Sequence, residues 1–276
     1  MDRIRLIASD MDATLLDERG CLPAGFEQTV HSLAALGIRF APASGRPLYT
    51  LEELFPTLQD ELVFIGDNGG AIRWKGQNLF TSEMSPEGWR ALNRLTREQG
   101  DIAVLCGLES AYVERPFAVH DAVLRHFYTK IEYVDRLEDV TAPADKFTIY
   151  LPQHNAQQAY DTVYASQRSI YSVAVAGECW VDIMNPGVHK GAALQTLGQL
   201  WGLPSESIMA FGDTYNDAEM LQTVRYGFLM ENGSEPLRQK VPFLAPSHRE
   251  AGVMQVLHRV LAQNGCVCPE DFVPAH

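Results

Sequence analysis

The sequence predicts an α/β protein whose core is a doubly wound, mainly parallel sheet, with a smaller α/β domain inserted into it. Two observations predict this class. Strand and helix patterns alternate at both ends of the 276-residue chain, and the stretch between them has a strand and helix rhythm of its own. A chain of this length forms one large or two ordinary domains. We expect a core from residues 1–83 and 185–276 and an inserted domain from residues 84–184.

The opening segment predicts crossover units of a parallel sheet. Short apolar runs at residues 4–8, 38–41 and 62–65 have the length of strands, and helical periodicity lies between them. Residues 71–80 then divide into two short apolar halves around Lys75-Gly76-Gln77-Asn78. A glycine-containing turn between two such halves is typical of a hairpin.

The inserted segment predicts three helices and five strands, and Asn185-Pro186-Gly187 marks its end. The helices are expected at residues 86–99, 118–128 and 155–166, and the strands at 102–106, 111–114, 146–151, 170–175 and 179–183. The core pattern then resumes, with helices at 188–201, 217–224, 235–240 and 250–262 and strands at 207–211 and 226–230. Right-handed crossovers are expected to bring the ends of the core strands to one edge of one sheet.

The composition excludes several classes of function. The chain has 22 Lys and Arg against 35 Asp and Glu, a net charge of −13, so no general positive field attracts nucleic acid. No run approaches the roughly 20 continuous apolar residues of a membrane span, and no signal-peptide pattern opens the chain. Five cysteines, an odd number, argue against a disulfide framework. We expect a cytoplasmic protein without nucleic-acid or membrane partners.

Acids directly follow two of the predicted core strands. Asp10 and Asp12 come after residues 4–8, and Asp213 and Asp217 come after residues 207–211. Ligands of open α/β sheets gather beyond the carboxyl ends of the strands. An unpaired carboxylate is costly to bury, so a cation is the expected compensation. Taken one at a time, such acids are also common in turns.

Four polar motifs resemble, in their order and spacing, those of the haloacid dehalogenase superfamily and, within it, the Cof-type sugar-phosphate phosphatases. The motifs are Asp10 to Thr14, Ser44 to Arg46, Lys190-Gly191 and Gly212 to Asp217. The resemblance covers nearly the whole chain, and it implies a Rossmann-like core with the inserted domain as an α/β cap.

Two segments depart from the family pattern. Asp67-Asn68-Gly69-Gly70 stands where Cof-type members have Glu-Asn-Gly-Ala, and Ala13 stands where the family has glycine. Alanine at position 13 is harmless if its φ is negative and strained if the loop needs a positive φ.

The resemblance implies a phosphatase that works through an aspartyl phosphate. Asp10 would be the nucleophile, and Asp12, placed among other anions, would be the general acid and base. Mg²⁺ would be held by the carboxylates of Asp10 and Asp213 and by the backbone carbonyl of Asp12. The phosphate would be bound by Met11, Ser44, Gly45, Lys190 and Asn216, with Thr14 and Asp217 in support and with Arg46, Asn68 and Lys146 as weaker candidates for substrate contact.

Three functions stay open from the sequence. The leading hypothesis is Mg²⁺-dependent hydrolysis of small phosphate monoesters, sugar phosphates above all, because a lid-like cap selects small substrates. A phosphomutase would share the nucleophile and the metal and would return the phosphoryl group to another sugar hydroxyl. A non-catalytic metabolite-binding protein would keep the cleft alone, a reading that Ala13 and Gly70 favour. The expected partner is a small phosphorylated metabolite, and the chain is expected to be a monomer or a weak homo-oligomer.

Overall fold

The computed structural model describes residues 1–276 and contains 17 strands and nine α-helices. The strands are β1 (Asp2–Arg3), β2 (Leu6–Ser9), β3 (Arg39–Pro42), β4 (Val63–Gly66), β5 (Ala71–Trp74), β6 (Gln77–Thr81), β7 (Ile102–Gly107), β8 (Ala111–Glu114), β9 (Ile131–Val134), β10 (Ala144–Tyr150), β11 (Ser172–Val175), β12 (Trp180–Met184), β13 (Ile208–Gly212), β14 (Tyr226–Met230), β15 (Phe243–Ala245), β16 (Cys266–Val267) and β17 (Val273–Pro274). The helices are α1 (Phe26–Ala35), α2 (Leu48–Glu53), α3 (Pro86–Gln99), α4 (Asp121–Phe127), α5 (Ala156–Asp161), α6 (Lys190–Trp201), α7 (Ala218–Thr223), α8 (Glu235–Arg238) and α9 (Gly252–Ala262). No helix is both long and apolar enough to cross a membrane.

The core sheet has six strands in the order β17-β15-β14-β13-β2-β3. All neighbours are parallel except β15 and β17. A parallel bridge between Ala43 and Ile65 continues the sheet from β3 to β4, where the antiparallel strands β5 and β6 follow. This order places β2 directly beside β13, so that Asp10 and Asp213 follow adjacent strands.

Helices cover both faces of the core sheet. Along β2, Ile7 belongs to the apolar cluster that α1 and α9 cover, whereas Leu6 and Ala8 belong to the cluster that α6 and α7 cover. Successive side chains of a strand point to opposite faces, so this alternation requires apolar cover on both sides. The predicted doubly wound α/β core is therefore confirmed.

The second sheet lies within residues 84–184 and has the order β11-β12-β10-β7-β8-β9. Its neighbours are antiparallel except β8 and β9. Helix α3 packs on one face through Trp89 and Leu92. It begins as the sequence predicts, because Ser85 accepts a hydrogen bond from the Gly88 amide and Pro86 occupies the first turn. We propose residues 84–184 as a distinct cap domain on this basis.

The two chain crossings between the sheets are tied together at one place. The side-chain amide of Asn185 donates to the carbonyl of Ser82 at 3.2 Å, to its hydroxyl at 3.1 Å and to the carbonyl of Glu83 at 2.8 Å. Asn185 stands in the segment that the sequence marks as the end of the insertion. The entry and the exit of the inserted segment are therefore held side by side.

Several local predictions were wrong. The helix predicted at residues 155–166 ends at Asp161, because the Thr162 hydroxyl bonds back to the Gln158 carbonyl and a 3₁₀ turn follows. The helix predicted at 118–128 begins only at Asp121, after a 3₁₀ turn. Strands β9 and β15, of four and three residues, were not predicted, because each is too short for a clear pattern and pairs in parallel with the strand before it, across an intervening helix.

A buried polar cluster joins the core to the second sheet. We call Asp67, Asn68, Asp145, Lys146 and Asp182 the junction cluster; each is at most 5% exposed. The ammonium of Lys146 lies 2.9 Å from Asp67 Oδ1 and 3.7 Å from Asp182 Oδ2. The Asn68 side chain, from the core, donates to Asp182 Oδ2 at 3.0 Å.

One acid of the junction cluster is left without a partner. No N–H or hydroxyl group donates to either carboxyl oxygen of Asp145. Burial and the nearby Asp67 carboxylate raise the pKa of Asp145 well above its usual value, although Lys146 acts against them. A neutral Asp145 leaves Asp67 and Asp182 to share the charge of Lys146.

Replacing Asp145 with asparagine is therefore expected to raise the free energy of unfolding at neutral pH. The contribution of Asp145 to the stability of the wild type is full below the pKa of an aspartate in the unfolded chain, about 3.9. It is lost as the pH rises towards the higher folded pKa, by up to about 1.4 kcal/mol for each pH unit. Asparagine is neutral at every pH and removes this loss. Urea unfolding from about pH 5 to about pH 8 measures it. With the exposed Asp60→Asn as control, a gain that does not grow with pH would contradict a neutral Asp145.

Candidate active site

The carboxyl ends of β2 and β13 bring three acids together. Asp10 follows β2, Asp213 follows β13, and Asp217 ends the 3₁₀ turn that comes next. One carboxylate oxygen from each lies within 4.8 Å of the others. All three are buried, with exposures of 7%, 8% and 0%. The register of two adjacent parallel strands thus concentrates negative charge at one point.

Lys190 balances part of this charge. It is fully buried at the first position of α6, where its ammonium contacts Asp10 Oδ1 and lies 2.7 Å from Asp217 Oδ1. Burial lowers the pKa of Lys190, but the carboxylates of Asp10 and Asp217 raise it above its ordinary value overall. The side chain is therefore charged. These two acids also offset the unfavourable position of a cation at a helix N-terminus.

Asp217 is occupied by protein donors on both of its oxygens. Oδ1 faces Lys190, and Oδ2 accepts hydrogen bonds from the amides of Asp213 at 3.0 Å and Thr214 at 3.2 Å. Thr214 and Asp217 also form a capping box for the turn, and Asn216 accepts a bond from the Thr214 hydroxyl at 2.6 Å. This arrangement agrees with the supporting role expected for Asp217.

The acids suit a divalent cation. If all three were ionised, they would carry two negative charges more than Lys190 neutralises. Burial and the neighbouring Asp217 raise the pKa of Asp10 well above its usual value and that of Asp213 to about 7, so the site holds too little positive charge to stabilise all of the ionised forms. Carboxylate oxygens are the ligands that Mg²⁺ prefers. Asp10 and Asp213 fit this role better than Asp217, whose oxygens already accept hydrogen bonds.

The segment after Asp10 forms one wide helical turn from Met11 to Leu15. Ala13 lies in the left-handed region there, with φ of 59° and ψ of 12°. Of the two outcomes that the sequence left open, the strained one is observed, at a cost of roughly 1 kcal/mol relative to glycine. The turn is held by Asn232, which donates to the Ala13 carbonyl at 2.8 Å, and by the Thr14 hydroxyl, which lies 3.4 Å from Asp213 Oδ1.

Asp12 has a different neighbour from the one expected. The sequence placed it among anions, but its carboxylate lies 2.7 Å from a guanidinium nitrogen of Arg46, and its side chain is 60% exposed. The partner comes from the segment after β3, 34 residues along the chain. Arg46, expected as a substrate contact, therefore orients Asp12. Asp12 is the exposed member of this pair, since the Arg46 side chain is only 12% exposed.

The segment Ser44 to Arg46 forms a compact loop after β3. Ser44 is buried, and its hydroxyl oxygen accepts a hydrogen bond from the Arg46 amide at 3.1 Å, which leaves its own proton for another acceptor. Gly45 lies so near Asn68 that an added Cβ would stand 3.2 Å from the Asn68 side-chain oxygen. The loop thus presents a hydroxyl donor and backbone in a tight space.

The structure brings most of the predicted residues together. Asp10, Thr14, Lys190, Asp213 and Asp217 form one contiguous cluster, and Asp12 with Arg46 lies on the loop beside it. Asn68 and Lys146 instead bond across the junction, and neither is directed to solvent.

Sequence reasoning missed three residues with clear contacts, Asp67, Asp182 and Asn232, and the buried, unpaired Asp145. Charged residues inside the apolar runs of β10 and β12 were the available signal for Asp145 and Asp182.

Comparison with known proteins agrees with this site. The sequence model of the haloacid dehalogenase-like hydrolases matches residues 7–257. The chain is 32% identical to the 5-amino-6-(5-phospho-D-ribitylamino)uracil phosphatase YbjI of Escherichia coli over 262 residues, which cover 94% of this chain and 96% of that protein. It is 30% identical over 249 residues to the HMP-PP phosphatase of Cronobacter sakazakii, covering 87% and 89% of the two chains. The crystal structure of SMU.1108c from Streptococcus mutans matches with a TM-score of 0.86 at 28% identity, covering 94% and 99%. The chain is thus a phosphatase that belongs to the haloacid dehalogenase-like hydrolase family.

Proposed function

We propose that this phosphatase hydrolyses phosphate monoesters of small metabolites, sugar phosphates above all, in a Mg²⁺-dependent reaction that passes through an aspartyl phosphate on Asp10. The observation that carries the proposal is the buried meeting of Asp10, Asp213 and Lys190 at the ends of adjacent strands. Asp10 lies between the ammonium of Lys190 and a second acid, and a phosphate dianion is also negative. Asp10 can therefore approach the phosphate only if further positive charge is present.

Asp10 is the nucleophile in this proposal. Lys190 holds its Oδ1, while its Oδ2 accepts no hydrogen bond from the protein. Oδ2 attacks phosphorus, and the bond between phosphorus and the ester oxygen breaks. Water then attacks the aspartyl phosphate, which releases inorganic phosphate and restores the carboxylate.

Asp12 is the general acid and base. It donates a proton to the departing alkoxide and accepts one from the water in the second step, so the protons balance over the cycle. Its 60% exposed side chain supports this role, because the carboxyl group is not enclosed by the protein. Arg46 fixes its direction.

Mg²⁺ would be held by the carboxylates of Asp10 and Asp213 and by the backbone carbonyl of Asp12, and it would neutralise charge on the phosphoryl group. The Ser44 hydroxyl, the amides of Met11 and Gly45, and the side chains of Lys190 and Asn216 bind the phosphate oxygens in this proposal.

The relatives favour hydrolysis over transfer. Both carry the name phosphatase, and the protein from Escherichia coli is named for a substrate whose phosphate sits on a ribityl chain. A phosphate carried by a polyhydroxylated chain agrees with the sugar-phosphate class that we propose here. No feature of the site favours a phosphomutase.

Asp10→Asn is expected to lower turnover of p-nitrophenyl phosphate by at least about 1,000-fold, because the amide is a poor nucleophile. The fold should persist, as judged by circular dichroism. Asp60→Asn, an exposed acid outside the site, should match the wild type. Substantial turnover by folded Asp10→Asn would exclude the aspartyl phosphate.

Asp12→Asn is expected to depend on the leaving group. An alkoxide from a sugar phosphate needs a proton, whereas p-nitrophenolate leaves without one, so kcat should fall far more for the sugar phosphate. Stopped assays of released phosphate with both substrates give the two ratios. Equal losses would assign Asp12 to binding or to structure and not to proton transfer.

Removal of divalent ions is expected to abolish turnover, and Mg²⁺ should restore it. Asp213→Asn should raise the Mg²⁺ concentration for half-maximal rate by about tenfold or more, since one ligand charge is lost. Titration of chelator-treated protein with Mg²⁺ measures this. An unchanged requirement in Asp213→Asn would remove Asp213 from the ligand set.

A further inference from the structure

We propose that Lys146, a residue of the inserted segment, is a positioning residue that fixes the Ser44 hydroxyl for the phosphoryl group. This inference rests on the proposed function, because it takes Ser44 as a phosphate ligand. It assigns to Lys146 a role in ordering the loop from Ser44 to Arg46, and not the contact with substrate that the sequence suggested.

The three carbonyl groups of the Ser44 to Arg46 loop have unlike partners. The Ser44 carbonyl accepts from the Asn68 amide at 2.9 Å, and the Arg46 carbonyl accepts from the Asp67 amide at 2.9 Å. Both donors are backbone groups of the core. The Gly45 carbonyl, between them, has the ammonium of Lys146 as its donor at 2.5 Å. The middle of the loop is therefore held from the other sheet.

The hydrogen bond to Gly45 fixes more than one atom. The Gly45 carbonyl and the Arg46 N–H belong to one planar peptide unit, so holding the oxygen also sets the direction of the N–H. That N–H donates to the Ser44 hydroxyl oxygen at 3.1 Å. With this lone pair occupied, the hydroxyl proton stays available for another acceptor, which in the proposed function is a phosphate oxygen.

Lys146 is itself immobilised. It is 1% exposed, and its ammonium lies between Asp67 and Asp182 at 2.9 and 3.7 Å. A buried ammonium that left these carboxylates would lose its charge compensation. The peptide plane of the loop is consequently held by a rigid group, and not by a flexible surface side chain.

The Gly45 carbonyl is reached by a long cationic side chain from the other sheet. A glycine at position 45 has no side chain to shield its carbonyl, and a side chain there would meet Asn68. The donor to the Gly45 carbonyl comes from across the junction. It is the ammonium of Lys146, in the middle of β10. Phosphate affinity in the core thus depends on contact with the inserted segment.

The test is a double-mutant cycle of Lys146→Met with Ser44→Ala, read by the inhibition constant of inorganic phosphate and by KM and kcat. Each single variant is expected to raise the inhibition constant and KM by about tenfold, the loss of one charge-assisted or buried hydrogen bond. The double variant should lose little more than either one, because both act through the same hydroxyl. Lys240→Met, an exposed lysine, is the control and should match the wild type.

Three outcomes would overturn the inference. Losses that multiply in the double variant would show that Lys146 acts independently of Ser44. A loss confined to a sugar phosphate, with p-nitrophenyl phosphate and inorganic phosphate unaffected, would place Lys146 on the leaving group. Unchanged constants with lowered stability would leave it a purely structural role.

The experiment also separates this inference from the proposed function. If Lys146→Met fails to fold, Lys146→Met with Asp67→Asn removes both charges of the closest pair and replaces it in the cycle. A wild-type protein that releases no phosphate from any ester would reject the proposed function itself. An active wild type with additive variants would reject only the role of Lys146.

Discussion

The crowding of carboxylates at the ends of β2 and β13 is the constraint on which the rest of the site depends. Parallel neighbours lie about 4.8 Å apart, so residues that follow them cannot separate their charges without leaving the sheet. The buried ammonium of Lys190 is stabilised by these carboxylates, and two backbone amides donate hydrogen bonds to Asp217. The α6 helix begins after His189, whose side chain accepts a hydrogen bond from the Ala192 amide, and this start places Lys190 against the acids.

The molecule contains two buried acidic clusters, and they differ in how their negative charge is compensated. In the junction cluster, Asp67 and Asp182 share one lysine, and burial raises the pKa of the third acid, Asp145. At the strand ends, Lys190 contacts Asp10 and Asp217 but not Asp213, and the nearby Asp12 side chain is 60% exposed. The first arrangement lies between the two sheets, and the second is the one at which we propose that an ion and a phosphate bind.

Sequence reasoning was strongest where function is carried by local pattern. Acids after apolar runs placed Asp10 and Asp213 at one edge of one sheet, because right-handed crossovers bring the ends of parallel strands there; that β2 lies directly beside β13 was shown by the structure. The pairing of Asp12 with Arg46 and the bond from Lys146 to Gly45 join residues 34 and 101 positions apart. No periodicity specifies such contacts, since they depend on how two sheets meet. The conformation of Ala13 was equally hidden, because φ follows from the closure of the loop.

The hydrogen bonds of Asn185 constrain how the inserted segment is attached to the core. The Asn185 side chain, on the crossing that leaves the inserted segment, binds Ser82 and Glu83 on the crossing that enters it. Neither crossing can slide along the other without breaking these hydrogen bonds. Asn185 therefore helps to keep the register in which Lys146 of the inserted segment reaches the Gly45 carbonyl of the core.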